Sequence, residues 1–283
     1  PQQKNVFNTV LTGGTDEEYV NGGVKNGTSY LLKENTTIAT TYDKKGQVYA
    51  AIDVGGNNSV DLQLDGNSLD VNSKAELANT DEEGYAVGLN IRKGSSVTVT
   101  EGNLNINADG NCKQAYGIYA SGDAEAAAQN MLTITQKDIG GIFDATQILH
   151  ITGKTDEQSK FTAIKATNKA NVTITSKVQF DAEKGVGIYA DNGSNVQLKV
   201  SQNLYGEDSK NSYINAAGGT AVVAGRNSKV SITNVKKGDY LKGDILTDIN
   251  GDGGEVNLEL NGGSQWMGSV KGNGIFNLKL NAA

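Results

Sequence analysis

The 283-residue chain has little cysteine, histidine, proline and aromatic residue, with one Cys, one His, one Pro and 6% aromatics. The single cysteine, Cys112, excludes a disulfide within the chain. Together with His150 it cannot supply the ligands of a usual structural zinc site. Because the only proline is Pro1, nothing after it removes an N–H group from a strand ladder or forms a proline-rich linker.

The chain also has fewer basic residues than acidic residues. The chain has 25 Lys and Arg against 32 Asp and Glu, which gives a net charge of −7 and a pI near 4.9. Nucleic-acid-binding domains usually carry a basic patch, so we expect no nucleic-acid partner. No apolar run is long enough to span a membrane as a helix, and we expect no direct membrane insertion of this segment. The first residues lack a signal-peptide pattern, which indicates either a cytoplasmic protein or a leader that has been removed.

Glycine is abundant, with 36 residues, and an internal repeat accounts for part of it. A Gly or Ala precedes a branched aliphatic residue, a variable residue follows, and then comes Val, Ile or Ala. We call the aliphatic residue of each repeat its anchor residue. The anchor residues are Ile52, Leu89, Ile118, Ile164, Ile188 and Val222.

A second element follows most anchor residues at a constant distance. Val97 lies eight residues after Leu89, and Val196 lies eight after Ile188. These segments alternate apolar and polar residues, which is typical of a half-buried strand. For Ile118 the equivalent residue is Leu132, so we expect an insertion after Ser121. Turn-forming Gly and Asn separate the two elements, since both tolerate left-handed backbone angles.

Unequal intervals between repeats favour a solenoid over a propeller, because extra residues in a solenoid leave the stack as loops. We therefore predict an all-β fold, a parallel β-helix (β-solenoid) with loop insertions. Residues 48–283 would form its coils. Residues 1–47, which are less regular, would form an N-terminal cap or irregular early coils.

Two groups of residues resemble bacterial type V autotransporters. The segment Gly253–Val270 is similar to the late part of their passenger domains, and Gly-Ile-Tyr-Ala, at 117–120 and 187–190, is similar to passenger repeats. The resemblance covers about residues 48–280. It implies a right-handed β-helix, display on the cell surface or secretion via the outer membrane, and a chain that ends before an autochaperone and a β-barrel. Passengers are mostly adhesins, self-association factors or proteases, and the Gly-Asp-Ser-Gly motif of the proteases is absent.

One segment matches a calcium-binding loop. Asp248, Asn250, Asp252 and Glu259 stand at the spacing of the EF-hand ligands. However, Glu255 occupies a position that normally holds an aliphatic residue, and Glu259 falls in an alternating strand. We therefore expect a turn that enters a strand, with no metal and no cofactor.

Loops offer the best candidates for ligand contacts, because a rigid scaffold presents function on its loops. Residues 201–216 separate two strand patterns and carry Tyr205, Asp208, Lys210 and Tyr213, which we predict to contact a ligand. Residues 121–130 and 136–160 are further insertions. His150 lies in an alternating strand and is expected to be an outward surface residue.

These features favour a non-enzymatic, surface-displayed adhesin or self-aggregation factor that acts through the outward faces and loops of a rigid β-helix. Its partner would be a host or bacterial surface glycan or protein, or a second copy of the chain. The alternative is a carbohydrate-active β-helix enzyme, a polysaccharide lyase or depolymerase. A third interpretation is a spacer without a ligand. Only one Trp is present, and the scarcity of aromatic platforms weighs against the enzyme.

Overall fold

The structure is a computed structural model that describes residues 4–5, 28–42, 48–75, 85–110, 114–199, 204–205 and 210–282. Within these residues almost all regular structure is β-strand, and the helical content is one 3₁₀ turn at Gln158–Lys160. Parallel strands wrap around a central axis, which confirms the predicted all-β parallel β-helix.

Face 1 of the helix is a ten-stranded sheet in which all neighbouring strands are parallel. Its strands are β1 (Lys4–Asn5), β2 (Thr28–Leu31), β5 (Ser59–Gln63), β8 (Ser96–Thr100), β11 (Gln129–Thr135), β16 (Ala170–Thr175), β19 (Asn195–Lys199), β22 (Lys229–Asn234), β26 (Glu255–Leu260) and β29 (Ile275–Leu280).

Faces 2 and 3 together form a fourteen-stranded sheet, because two long strands run from one face into the other. These are β21 (Tyr213–Ala224) and β23 (Tyr240–Leu246). Face 2 also contains β3 (Thr36–Tyr42), β6 (Ser68–Ala75), β9 (Asn103–Gly110), β14 (Ile148–Lys154), β17 (Lys177–Asp181) and β27 (Gln265–Met267). Face 3 also contains β4 (Val48–Val54), β7 (Tyr85–Ile91), β10 (Gln114–Ser121), β15 (Phe161–Thr167), β18 (Val186–Ala190) and β28 (Val270–Lys271).

Each coil passes through face 3, face 1 and face 2 in that order. The sequence repeat identified the first two strands of a coil and missed the third, on face 2. Coil length varies widely: Asn277 bonds to Asn257 across 20 residues, whereas Asn168 bonds to Ser121 across 47. Insertions therefore account for the unequal intervals, as predicted.

The anchor residues stack directly on one another in face 3. Leu89 pairs with Ile118, Ile118 with Ile164, and Ile164 with Ile188. All four side chains are buried in the main core. On face 1, Leu132 pairs with Val97, which confirms the insertion predicted after Ser121.

The glycine before an anchor residue occupies a crowded corner. A Cβ atom added to Gly117 would lie 2.3 Å from Cγ2 of Ile151, a face 2 residue, and 2.6 Å from the carbonyl oxygen of Ala163. Real Cβ atoms do not approach other atoms so closely. The small residue is therefore required by the packing of face 3 against face 2.

The turn between face 3 and face 1 uses the residues that the sequence indicated. Asn168 and Asn192 have positive φ angles of 55° and 53°, a region that Asn tolerates. Buried serines complete the turn: Ser194 Oγ accepts from the N–H of Ala170 at 3.2 Å, and Ser228 Oγ accepts from the N–H of Ser194 at 3.1 Å. These bonds satisfy backbone donors where the chain bends away from the ladder.

The described residues 28–42 already take part in the coils. β2 pairs with β5 on face 1, and β3 pairs with β6 on face 2. Leu32 and Ile38 contribute to the same buried core as the later coils.

Candidate binding sites on the outward faces

Outward side chains of successive coils form two compact clusters of aromatic and charged residues. The tyrosine–lysine cluster on face 3 consists of Tyr85, Tyr116, Tyr119, Lys165 and Tyr189. The histidine–aspartate cluster on face 2 consists of His150, Asp181, Tyr213, Tyr240 and Lys242.

Strand register builds the tyrosine–lysine cluster. The residue that follows each anchor residue points outward, and pairing places Tyr119, Lys165 and Tyr189 above one another. Tyr116 lies two residues before its anchor residue and is almost fully buried. It forms a small apolar cluster on the outer side of face 3 with Val87, against which Tyr85 and Tyr119 pack.

The rings of three tyrosines order one another. Tyr116 meets Tyr85 edge to face at 5.3 Å between ring centroids, and it meets Tyr119 in the same way at 5.0 Å. Tyr85 and Tyr119 are nearly parallel at 6.2 Å. The hydroxyl of Tyr116 also donates to Oε1 of Gln114 at 2.8 Å. Such pairs restrict ring motion, so the surface is preordered.

Lys165 places its ammonium group among these rings. Its Nζ atom lies 5.3 Å from the ring centroid of Tyr116, 5.2 Å from that of Tyr119 and 5.2 Å from that of Tyr189. These distances are typical of cation–π contacts. Lys165 forms no ion pair or hydrogen bond with any of the residues that the structure describes.

Partial burial shifts the pKa values of this cluster. Burial lowers the pKa of Lys165, and the negative charge of Asp191 opposes that shift. Burial is also the main reason why the pKa of Tyr116, of Tyr119 and of Tyr189 is raised. The tyrosines therefore stay neutral at physiological pH, and the hydroxyl of Tyr116 is already engaged with Gln114.

Polar groups extend the same outward column towards the N-terminus. Asn90 pairs with Tyr119 in the ladder, and its Nδ2 donates to Oδ1 of Asp53 at 2.9 Å. Nε of Arg92 lies 3.4 Å from the same carboxylate oxygen. Face 3 thus places a polar network beside an aromatic one.

The histidine–aspartate cluster spans four neighbouring strands of face 2, namely β14, β17, β21 and β23. Oδ2 of Asp181 lies 2.8 Å from Nε2 of His150, and the hydroxyl of Tyr213 donates to its Oδ1 at 2.9 Å. The hydrogen bond from His150 is the main reason why the pKa of Asp181 is lowered. The ring of Tyr213 stacks on Tyr240 at 5.0 Å, and Nζ of Lys242 lies 4.8 Å from the centroid of Tyr240. As expected, His150 is on the outer surface.

Two of the predicted ligand-contact residues, Tyr205 and Tyr213, lie in strands. β21 begins at Tyr213, so the loop is shorter than 201–216, and Tyr213 belongs to face 2. Its alternation with the buried Ile214 makes it a strand residue. Lys210 is exposed, and its carbonyl oxygen accepts from Nζ of Lys177 at 2.7 Å. Asp208 lies outside the described residues, as does Cys112.

Tyr205 lies in β20 (Leu204–Tyr205), which is part of a small accessory sheet. β12 (Asp138–Ile139) and β13 (Ile142–Asp144) form a hairpin, and β13 pairs in parallel with β20. Parts of the predicted insertions 136–160 and 201–216 therefore meet outside the coils, whereas β14 and the start of β21, from the same two segments, belong to face 2. Ile139 and Ile142 are exposed beside the turn of the hairpin.

Three of the four candidate calcium ligands, Asp248, Asp252 and Glu259, are engaged in other contacts. Asp248 and Asp252 lie in the hairpin of β24 (Asp248–Ile249) and β25 (Asp252–Gly253). Oδ2 of Asp252 accepts from Arg226 at 2.9 Å. Glu259 lies in β26, where its Oε1 pairs with Nζ of Lys279 at 3.4 Å. In the part of the chain that the structure describes, no three His, Cys, Asp or Glu side chains are grouped so that they could hold a metal ion.

Sequence reasoning missed both clusters, although it found the repeat that creates the first. Tyr119 and Tyr189 are the variable residues of the two Gly-Ile-Tyr-Ala repeats. The signal was the aromatic residue at a position that the strand alternation directs outward.

No helix in the described ranges is both long and apolar enough to cross a membrane. Comparison of the chain with family models, with curated proteins and with solved structures finds no match.

Proposed function

We propose that the chain is a non-enzymatic adhesive β-helix of the bacterial cell surface that binds a glycan through face 3. The observation that carries this proposal is the grouping of Tyr85, Tyr116, Tyr119 and Tyr189 around Lys165 on one outward face. Aromatic rings with neighbouring polar groups are a common way to bind sugars, since the C–H face of a sugar ring stacks on them.

The architecture supports an adhesive role. Stacked coils with a continuous core form a stiff scaffold, and the Tyr–Tyr contacts hold the binding surface in place before a ligand arrives. Preordering lowers the entropic cost of binding. If many copies are present on one cell, their weak individual contacts together give strong attachment.

Surface display is part of the same proposal. The resemblance of residues 48–280 to autotransporter passengers supports it, and the parallel β-helix is the fold that this resemblance implies. The chain would then be secreted across the outer membrane and held at the cell surface, with its outward faces in contact with the surroundings.

The test is a glycan and matrix-protein binding array with the purified chain. The variant Tyr119→Ala removes one ring of the cluster, and Tyr240→Ala, which removes a ring on face 2, is the matched control. We expect glycan binding that Tyr119→Ala weakens by ~10-fold, equivalent to about 1.4 kcal/mol, and that Tyr240→Ala leaves unchanged. If only Tyr240→Ala weakened binding, the glycan site would lie on face 2 and not on face 3.

A second candidate function, a carbohydrate-active enzyme, is favoured by the contact between His150 and Asp181. A carboxylate that orients a histidine is a common arrangement for a general base. The assay is release of unsaturated or reducing ends from a polysaccharide panel. If the chain cleaved a polysaccharide, if His150→Gln abolished this cleavage and if Lys165→Met retained it, the chain would be an enzyme and the adhesin proposal would be wrong.

A further inference from the structure

The ammonium group of Lys165 is partly withdrawn from water without a carboxylate partner among the described residues. Three tyrosine rings surround it at 5.2 to 5.3 Å. Ring faces attract a cation but accept no strong hydrogen bond from it. Lysine ammonium has three N–H donors, so the cluster leaves strong donors available beside an aromatic surface.

The negative charge of Asp191 acts on this group and raises the pKa of Lys165 against the effect of burial. Asp191 forms no ion pair with Lys165, because more than 4.0 Å separates their charged atoms. Instead, its Oδ1 accepts from the N–H of Asn192 at 2.7 Å. Asp191 therefore neutralises the positive charge of Lys165 only in part, and Lys165 can still attract an anion that lies closer to it.

We propose that the glycan bound at the tyrosine–lysine cluster is an acidic saccharide, whose sugar carboxylate pairs with Lys165 while its ring stacks on Tyr119 or Tyr189. This inference rests on the proposed function and specifies its ligand class. A carboxylate gives the ammonium group both an opposite charge and hydrogen-bond acceptors. Charge-assisted hydrogen bonds of this kind are about twice as strong as neutral ones.

The number of charges favours a sugar with a single carboxylate over a polysulfated chain. Lys165 is the only cationic residue of the cluster, and the chain carries a net charge of −7. A heavily sulfated polymer is normally held by a broad basic patch. A uronate or sialate residue needs one cation and one ring surface, which this cluster provides.

The decisive experiment compares an oligouronate with the same oligosaccharide after chemical reduction of its carboxyl groups to alcohols. Titration calorimetry with the purified chain would measure both affinities. We expect the uronate to bind at least ~10-fold more tightly than its reduced counterpart, equivalent to about 1.4 kcal/mol. We also expect its affinity to fall as the salt concentration rises.

Variants then assign the effect to one residue. Lys165→Met keeps most of the apolar stem and removes the charge, and Lys165→Gln is a second variant in case the first folds poorly. Lys242→Met, which removes a cation that lies over Tyr240 on face 2, is the matched control. We expect Lys165→Met to reduce the affinity for the uronate ~10-fold, equivalent to about 1.4 kcal/mol, and to leave the affinity for the reduced oligosaccharide nearly unchanged. Lys242→Met should change neither affinity.

The outcomes separate the two proposals. Equal affinity for the uronate and the reduced sugar, or an unchanged uronate affinity in both Lys165 variants, would overturn the acidic ligand and leave the glycan-binding function standing. A sulfated oligosaccharide that binds more tightly than the uronate would also overturn the carboxylate. Absence of binding to any of the sugars, with Lys165 and the tyrosines intact, would overturn both proposals.

Discussion

The ammonium nitrogen of Lys165 lies 5.2 Å from the ring centroid of Tyr189, the residue that pairs with it in the next coil. The two residues are neighbours only because the coils of face 3 stack in register. The contact therefore links the outward site directly to the inward anchor column, since Ile164 and Ile188 set the same register.

The crowded corner at Gly117 gives a stability prediction. In Gly117→Ala the new Cβ would lie 2.3 Å from Ile151 and 2.6 Å from the carbonyl of Ala163, so the coils must shift apart. We expect the free energy of unfolding to fall by about 1–3 kcal/mol, the usual cost of overpacking a core. Urea denaturation followed by circular dichroism would measure it.

The control for this prediction is Ala127→Ser, which also adds one heavy atom but at an exposed residue outside the strands. A substitution at such a surface residue usually changes stability little, so the control should unfold close to the wild type. Equal stability of Gly117→Ala and the wild type would contradict the tight packing of face 3 against face 2.

Tyr116 is expected to stabilise the outer side of face 3 mainly through its ring. It is 6% exposed and contacts both Tyr85 and Tyr119. Tyr116→Phe loses only the hydrogen bond to Gln114 and should cost about 0.5–1.5 kcal/mol. Tyr116→Ala also loses the ring and should cost about 3 kcal/mol or more.

Differential scanning calorimetry of the two Tyr116 variants would compare these effects. A larger loss in Tyr116→Phe than in Tyr116→Ala would show that the hydroxyl, and not the ring, is the stabilising part.

The contact of Asp181 with His150 and Tyr213 predicts a dependence of stability on pH. The folded protein lowers the pKa of Asp181, chiefly through the hydrogen bond from His150. A lowered carboxyl pKa contributes stability that is fully present above the unfolded pKa, about 3.9, and is lost as pH falls through the folded pKa. The wild type should therefore exceed Asp181→Asn in melting temperature at neutral pH, and the difference should shrink below about pH 4.

Asp65→Asn is a suitable control for the pH series, because Asp65 is an exposed turn residue. Its melting temperature should follow the wild type at every pH. A gap between the wild type and Asp181→Asn that stays constant down to about pH 2 would contradict the lowered pKa of Asp181, since the stabilising charge would then not titrate.

Calcium is expected to have no effect on the stability of the coils. Asp252 pairs with Arg226, Glu259 pairs with Lys279, and Oδ2 of Asp248 accepts from the N–H of Asn273 at 3.0 Å. A ligand that binds only the folded state raises the melting temperature. The melting temperature should therefore be the same with excess calcium and with a chelator. If calcium raised the melting temperature and Asp248→Asn removed that rise, the segment would be a calcium-binding loop after all.

Local rules in the sequence were sufficient for the core of the fold. Alternation around Val97 and Val196 gives face 1, and the small residue before each anchor residue gives the packed corner. The left-handed Asn turns follow from residue type alone. These features repeat along the chain, and a repeated pattern reveals the coil even when its spacing varies.

The strands of face 2 were harder to recognise because each follows face 1 at a distance that insertions change. Leu69 and Leu104 pair in neighbouring coils, yet nothing local shows that they share a face. The strand character of Tyr213 was missed for the same reason. The ligand contacts predicted for Tyr205, Asp208, Lys210 and Tyr213 remain untested predictions.

The sequence by itself determined a stack of coils with an aliphatic interior, because side-chain alternation and turn preference act over a few residues. Only the tertiary structure decided which outward residues meet. Tyr85, Tyr119, Lys165 and Tyr189 come from four different strands of face 3, and their contacts depend on the register of whole coils. That register is set by long-range backbone pairing, which no short segment of the chain encodes.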